Sequence, residues 1–117
     1  MIFMDSYGLV EFSLDTGSYN RYENELFCTT FLNLYEMAAV LIRSGREDIA
    51  KAAFEKFKTN IVQVPELIYY AAAILKVSHR HLSNVDCIGY LVAQSKGIPF
   101  VTGDDGFKGF PNVIIQK

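Results

Sequence analysis

An α/β sandwich with a mostly parallel central sheet of four to five strands, flanked by helices, is the fold this sequence predicts. Three observations predict it. The opening stretch Ile2-Phe3-Met4 is apolar without alternation and closes on Asp5, which reads as a strand buried on both faces, as in a parallel sheet between helices. Short apolar runs of this kind recur between longer helical patterns. Acidic residues stand at strand ends, and in open α/β sheets ligands bind beyond the carboxyl ends of the strands. At 117 residues the chain is expected to form one domain, 1–117, large enough for a single core.

In chain order, Ser6-Tyr7-Gly8 turn the first strand into a helix-like run, Leu9 to Leu14. Asp15 to Asn24, rich in Asp, Gly, Ser, Asn and Tyr, reads as a surface loop. Glu25 to Thr29 is a short strand around Leu26, Phe27 and Cys28. Thr29 or Thr30 caps a long helix that Gly45 ends, with Arg43 in the last turn, where a cation suits the dipole. Arg46 to Lys58 is an amphipathic helix, apolar at Ile49, Ala52, Ala53, Phe54 and Phe57. Asn60 to Val64 reads as the next strand, and Pro65, suited to a first helical position, opens a helix to about Val77. Ser78 to Ser83 is a polar, basic connector. Ser83 or Asn84 caps a helix that runs to Gly97. Ile98 to Val101 is a strand, Asp104 to Lys108 a turn or one-turn helix, and Val113 to Ile115 the last strand.

Composition narrows the function. Half the residues are apolar and 21% charged, as in ordinary globular proteins. The longest apolar run, Leu67 to Leu75, falls well short of the roughly 20 residues of a spanning helix, and the N-terminus lacks the basic flank and cleavage site of a signal peptide. Cys28 and Cys87 form no CxxC pair and fit reduced, buried thiols in a cytoplasmic protein. A formal charge of −2 argues against a passive nucleic-acid binder. It argues less against an enzyme whose acidic site recruits divalent cations, which invert the local field.

Four acids stand out. Glu36 sits in Phe31 to Ile42, apolar almost all round, with Leu32, Ala39 and Val40 one turn away, so its face is expected to be the core face; reaching water past the small alanines, or pairing with Arg43, is the alternative. Asp86 lies in the first turn of its helix, where capping alone would explain it. Asp104 and Asp105 follow the strand around Phe100 through Thr102-Gly103, where turn chemistry is open to them, and Asp5 could simply cap the next helix. Together they suggest more: two acids end buried strands and two lie on helices that flank the sheet. Carboxylates gathered at one edge repel unless a cation neutralises them, and oxygen ligands without His or Cys select Mg²⁺ or Mn²⁺. Such a cation suits phosphodiester hydrolysis, activating water and neutralising the phosphate oxygens.

The segments Ile2-Phe-Met-Asp5-Ser, Leu34-Tyr-Glu36, Val85-Asp86-Cys-Ile-Gly-Tyr and Pro99-Phe-Val-Thr102-Gly-Asp104-Asp-Gly-Phe107 occur in the order and spacing of the PIN domain, and the chain resembles most the compact VapC-type toxin ribonucleases of prokaryotic toxin–antitoxin pairs. The resemblance implies a three-layer PIN-like sandwich and an endoribonuclease using one or two Mg²⁺ or Mn²⁺ ions. It implies an acidic quartet of Asp5, Glu36, Asp86 and Asp104 as metal ligands and catalytic residues, with Thr102 as the supporting hydroxyl. It also implies a homodimer silenced by a small antitoxin. Many members carry a further acid where this chain has Gly106, which makes Asp105 a possible additional acid; Cys87 replaces the family's usual alanine. Arg80, flanked by His79 and His81, and Lys108 are candidate RNA contacts, with solvated dipole partners as the alternative. A PIN-fold interaction module binding a protein partner is the alternative function, suggested by the aromatic content. A haloacid-dehalogenase-type phosphohydrolase is set aside because Tyr7 stands where its second Asp belongs. The apolar helices around Phe31 to Ile42 or Tyr69 to Leu75 are the expected dimer surfaces.

Overall fold

The computed structural model describes all residues, 1–117. Four strands, β1 (Ile2–Met4), β2 (Phe27–Cys28), β3 (Phe100–Thr102) and β4 (Val113–Ile115), form one sheet in the order β2-β1-β3-β4, every pair parallel. Five helices surround it: α1 (Ser6–Leu14), α2 (Phe31–Arg43), α3 (Glu47–Phe57), α4 (Glu66–Ser78) and α5 (Asn84–Lys96).

Alternation along the strands divides the core in two. Ile2, Met4 and Val101 pack with Leu9 of α1, with Leu34, Met37 and Leu41 of α2 and with Phe57 of α3 on one face. Phe3 and Phe100 pack with Ala72 of α4 and with Cys87, Tyr90 and Val92 of α5 on the other. The sheet therefore separates two packed clusters, one on each face. This makes three layers, as a parallel sheet covered on both faces requires.

Local chemistry explains the boundaries. Asp5 caps α1, accepting from the Gly8 N–H at 2.8 Å. Thr30 caps α2 and Ser83 caps α5, while Gly97 closes α5 at a φ of +66°, a left-handed position that glycine takes at no steric cost. Both cysteines are free and buried, and no helix is long and apolar enough to cross a membrane.

Several expectations need correction. Residues 60–64 are not a strand: only Ile61 bridges Thr29 at the sheet edge. Pro65 offers no N–H to continue pairing, so the sheet has four strands. Pro65 itself is the extended residue before α4, not its first helical position. The segment Asp15 to Asn24 is no plain surface loop. Tyr19 and Tyr22 are buried in it, and the Tyr19 hydroxyl donates to the Gln116 carbonyl at 2.8 Å. β3 starts later than expected and carries Thr102, fully buried, as its last residue.

The crossing of α1 over β1 is close at Gly8. A Cβ there would meet Met4 Cγ and Tyr19 Cε2 at 2.7 Å, and both side chains are fully buried and cannot yield. Gly8→Ala is expected to lower stability by about 1–3 kcal/mol despite alanine's better helix propensity; a urea melt compared with wild type measures it.

Candidate active site

Strand order reverses at β1 and β3: the chain leaves β1 to pair with β2 on one side and returns to pair with β3 on the other. The carboxyl ends of two such strands bound a natural crevice. Asp5 directly follows β1, held by its own N–H, which donates to the Val101 carbonyl at 3.2 Å. Asp104 follows β3 by two residues. Helices α2 and α5 lean over the same edge and bring Glu36 and Asp86. All four carboxylates line one cavity of about 720 Å³, together with Ser6, Tyr7, Tyr35, Arg43 and Ser83.

Each carboxylate is held by its neighbours. Besides capping α1, Asp5 is approached by the Thr102 hydroxyl and the Gly103 N–H. Thr102 Oγ1 accepts from the Asp104 N–H at 3.0 Å, and Asp104 Oδ1 accepts from the Gly106 N–H at 2.8 Å. Ser83 Oγ accepts from the Asp86 N–H at 3.0 Å. Glu36 ends a chain of buried donors. Thr30 donates to Asn33 Oδ1 (2.7 Å), the Asn33 amide to Ser6 Oγ (3.0 Å), and the Ser6 hydroxyl to Glu36 Oε1 (2.6 Å). Asn33 is completely buried, a polar side chain among the buried apolar residues Leu34, Met37 and Leu41 of α2. It is satisfied on both sides, as a buried amide must be.

The electrostatics are those of an anionic pocket, four carboxylates against the single guanidinium of Arg43. Burial pushes the Asp5 carboxyl up to about 6; hydrogen bonds from Thr102, Gly8 and Gly103 oppose it, and the Asp104 charge adds to it. Burial likewise pushes Asp86 up to about 7, reinforced by the charges of Asp5, Glu36 and Asp104. None of the four takes part in an ion pair; the three salt bridges of the chain lie elsewhere.

The sequence model of the PIN domain family matches residues 14–112. The chain belongs to the PIN domain family. Among solved structures, this PIN domain is similar to Mycobacterium tuberculosis VapC20, described as a sarcin–ricin loop cleaving toxin, at 21% identity and a TM-score of 0.81, over 100% of both chains. It is also similar to a toxin–antitoxin complex from Klebsiella pneumoniae at 17% identity and a TM-score of 0.74, covering 97% of this chain and 96% of that one. At such identities the likeness is one of fold. The search of curated proteins gives no match.

The other expected site residues lie apart from the PIN cavity. Asp105 points its carboxylate to Lys117 at 2.5 Å, in solvent. Arg80 and Lys108 are exposed and do not line the cavity. Lys76 holds the carbonyls of Arg80 and Leu82, and His81 Nε2 contacts the Gly106 carbonyl at 3.2 Å, so the basic connector is packed as structure. Glu36 is half-buried, not on the core face. Asn33, Leu34, Met37 and Leu41 are the buried residues of α2, while Ala39 and Val40 are exposed beside the cavity. Sequence reasoning missed the roles of Ser6 and Asn33, although an asparagine amid apolar helix residues was a visible signal. Arg43, read as a helix-dipole partner, also lines the cavity.

Proposed function

We propose that this PIN domain is a metal-dependent endoribonuclease of the VapC toxin type. The observation that carries the reading is that four carboxylates from four separate elements line one cavity at the strand-order reversal, with no basic side chain paired to any of them. The donor set fits a hard divalent cation: the acids lining the cavity are carboxylates with no His or Cys among them, which favours Mg²⁺ or Mn²⁺. Asp5, Glu36, Asp86 and Asp104 would hold it. They are not drawn into a ready-made ligand cluster, since no three such side chains are grouped closely enough. When bound, the cation supplies activation of water and charge neutralisation at the phosphodiester. The chain's own residues supply the rest. Thr102 braces Asp5 and the Asp104 backbone, and Ser6 orients Glu36.

VapC20 is described as a sarcin–ricin loop cleaving toxin, and the Klebsiella neighbour is a toxin–antitoxin complex. We extend both to this chain: an RNA substrate and a small protein antitoxin, in the cytoplasm, where free buried thiols stay reduced. Cleavage of mixed single-stranded RNA in Mg²⁺ or Mn²⁺, with an EDTA control, tests the enzyme. Loss of cleavage in EDTA is expected; equal cleavage with and without EDTA would sink the reading. A homodimer is part of it. Leu67, Tyr70, Ile74 and Val77 recur along α4 and are 57–83% exposed, an apolar stripe that suits a protein interface. Tyr70→Asp is expected to halve the mass seen by light scattering while leaving the circular dichroism spectrum unchanged.

A further inference from the structure

One wall of the cavity, carrying Glu36 among the acids, is built by the outer face of α2. Glu36, Val40 and Arg43 follow one another at helical spacing, with Tyr35 beside them, and all four line the cavity. Tyr35 is 69% exposed and belongs to neither core cluster. Tyr7 also lines the cavity and lies so tightly over Gly103 that a Cβ there would strike its ring at 2.4 Å. Arg43 is the one cation of the lining and makes no ion pair. It stands two turns, roughly 10 Å along the helix axis, from Glu36.

We infer that this face of α2 is a nucleotide subsite, in which Tyr35 stacks an unpaired base and the Arg43 guanidinium holds a backbone phosphate next to the one at the acids. The inference rests on the ribonuclease reading and specifies which form of RNA enters. An acidic pocket repels a polyanion except where a cation is displayed, and Arg43 is the displayed cation. A guanidinium suits phosphate because its planar fork matches the oxygens. An exposed tyrosine can stack only on a base whose face is free, so single strands and loops enter and continuous duplex does not. The ridge continues directly from Glu36, so a strand gripped by Tyr35 and Arg43 is already aligned with the acids.

Binding is measured by anisotropy of a short fluorescein-labelled single-stranded RNA of mixed sequence. Ca²⁺ replaces Mg²⁺, and a gel checks that the RNA stays intact. Tyr35→Ala is expected to weaken binding about ten-fold or more, with Tyr35→Phe close to wild type, as stacking requires. Arg43→Ala is expected to flatten the dependence of log affinity on log salt by about 0.7, the share of one phosphate contact on a single strand. A duplex of the same sequence should bind more weakly and be indifferent to Tyr35→Ala. The inference is overturned if both alanine variants bind as wild type does, if duplex binds equally well, or if no RNA binds. It is also overturned if the variants change only the oligomeric mass, which would make the face a protein contact. The two readings fail separately. Metal-dependent cleavage that is unaffected by either variant removes the subsite and leaves the nuclease, whereas binding that depends on both residues without any metal-dependent cleavage removes the nuclease and leaves the subsite.

Discussion

Asp5→Asn is expected to abolish RNA cleavage and, at the same time, to make the metal-free protein more stable at neutral pH. Loss of one of four carboxylates should reduce cleavage by at least the ~10–100-fold that losing even an outer-shell partner costs a metal site. The stability gain follows from linkage. The Asp5 carboxyl, pushed up to about 6 by burial, holds its proton in the folded state over a range where the unfolded chain has released it. Stability from this group is therefore greatest at low pH and falls as pH rises from about 4 through 6. Above that range the charge costs up to about 3 kcal/mol, at roughly 1.4 kcal/mol per unit. Asparagine keeps the acceptor for the Gly8 N–H and removes the charge, but it loses part of the bonding from Thr102 and Gly103, so a net gain of about 1–2 kcal/mol is expected, or several degrees in Tm. Thermal melts in EDTA at pH 5 and pH 7.5 measure it: wild type should lose stability between them and the variant should lose less. A variant less stable than wild type at both values would mean that the acid serves the fold.

The second large effect is the converse. A divalent cation should stabilise wild type strongly at pH 7.5 and weakly at pH 5, because ligands must be deprotonated to bind it. With Mn²⁺ at a hundred times its dissociation constant the gain is about 2.7 kcal/mol. At pH 5, with Asp5 raised to about 6 and Asp86 to about 7, both carboxyls are largely protonated and most of that gain should disappear. Melts with and without Mn²⁺ at the two pH values, repeated on Asp86→Asn, decide it. Equal stabilisation at both pH values would show Mn²⁺ binding somewhere other than among these acids.

Much of this is legible in the sequence itself. Ile2-Phe3-Met4 could be read as a buried strand because parallel sheets demand unbroken apolar runs, and Ser83, Thr30 and Gly97 announced helix ends through their own hydrogen-bonding and backbone preferences. The acids drew notice because nothing local required all of them. What escaped depended on distant neighbours. Residues 60–64 have the composition of a strand, but pairing is decided by the edge they reach and by Pro65 after them. Tyr19 and Tyr22 sit in a polar segment and are buried only because α1 and the Gln116 backbone close over them. Glu36 was assigned to the wrong face because α2 is apolar all round, and only the packing of α1 and α3 shows which side is inside. The positions of Arg43 at the cavity and of Asp105 away from it depend on where α2 and the turn after β3 end in space, which no local pattern states.

The pairing of β1 with β3 also has a consequence for how the chain is born. Phe3 is registered against Phe100 and Met4 against Val101, so the second residue layer of the sheet must wait for nearly the whole polypeptide. At about 5–20 residues per second of synthesis, Asp5 is added to the chain roughly 5–20 seconds before Asp104 exists. Closing so long a loop is among the slower steps in folding. A nascent copy therefore carries half of the candidate catalytic apparatus and none of its crevice. A partner that captures the N-terminal helices during translation would meet the protein before it could cut anything.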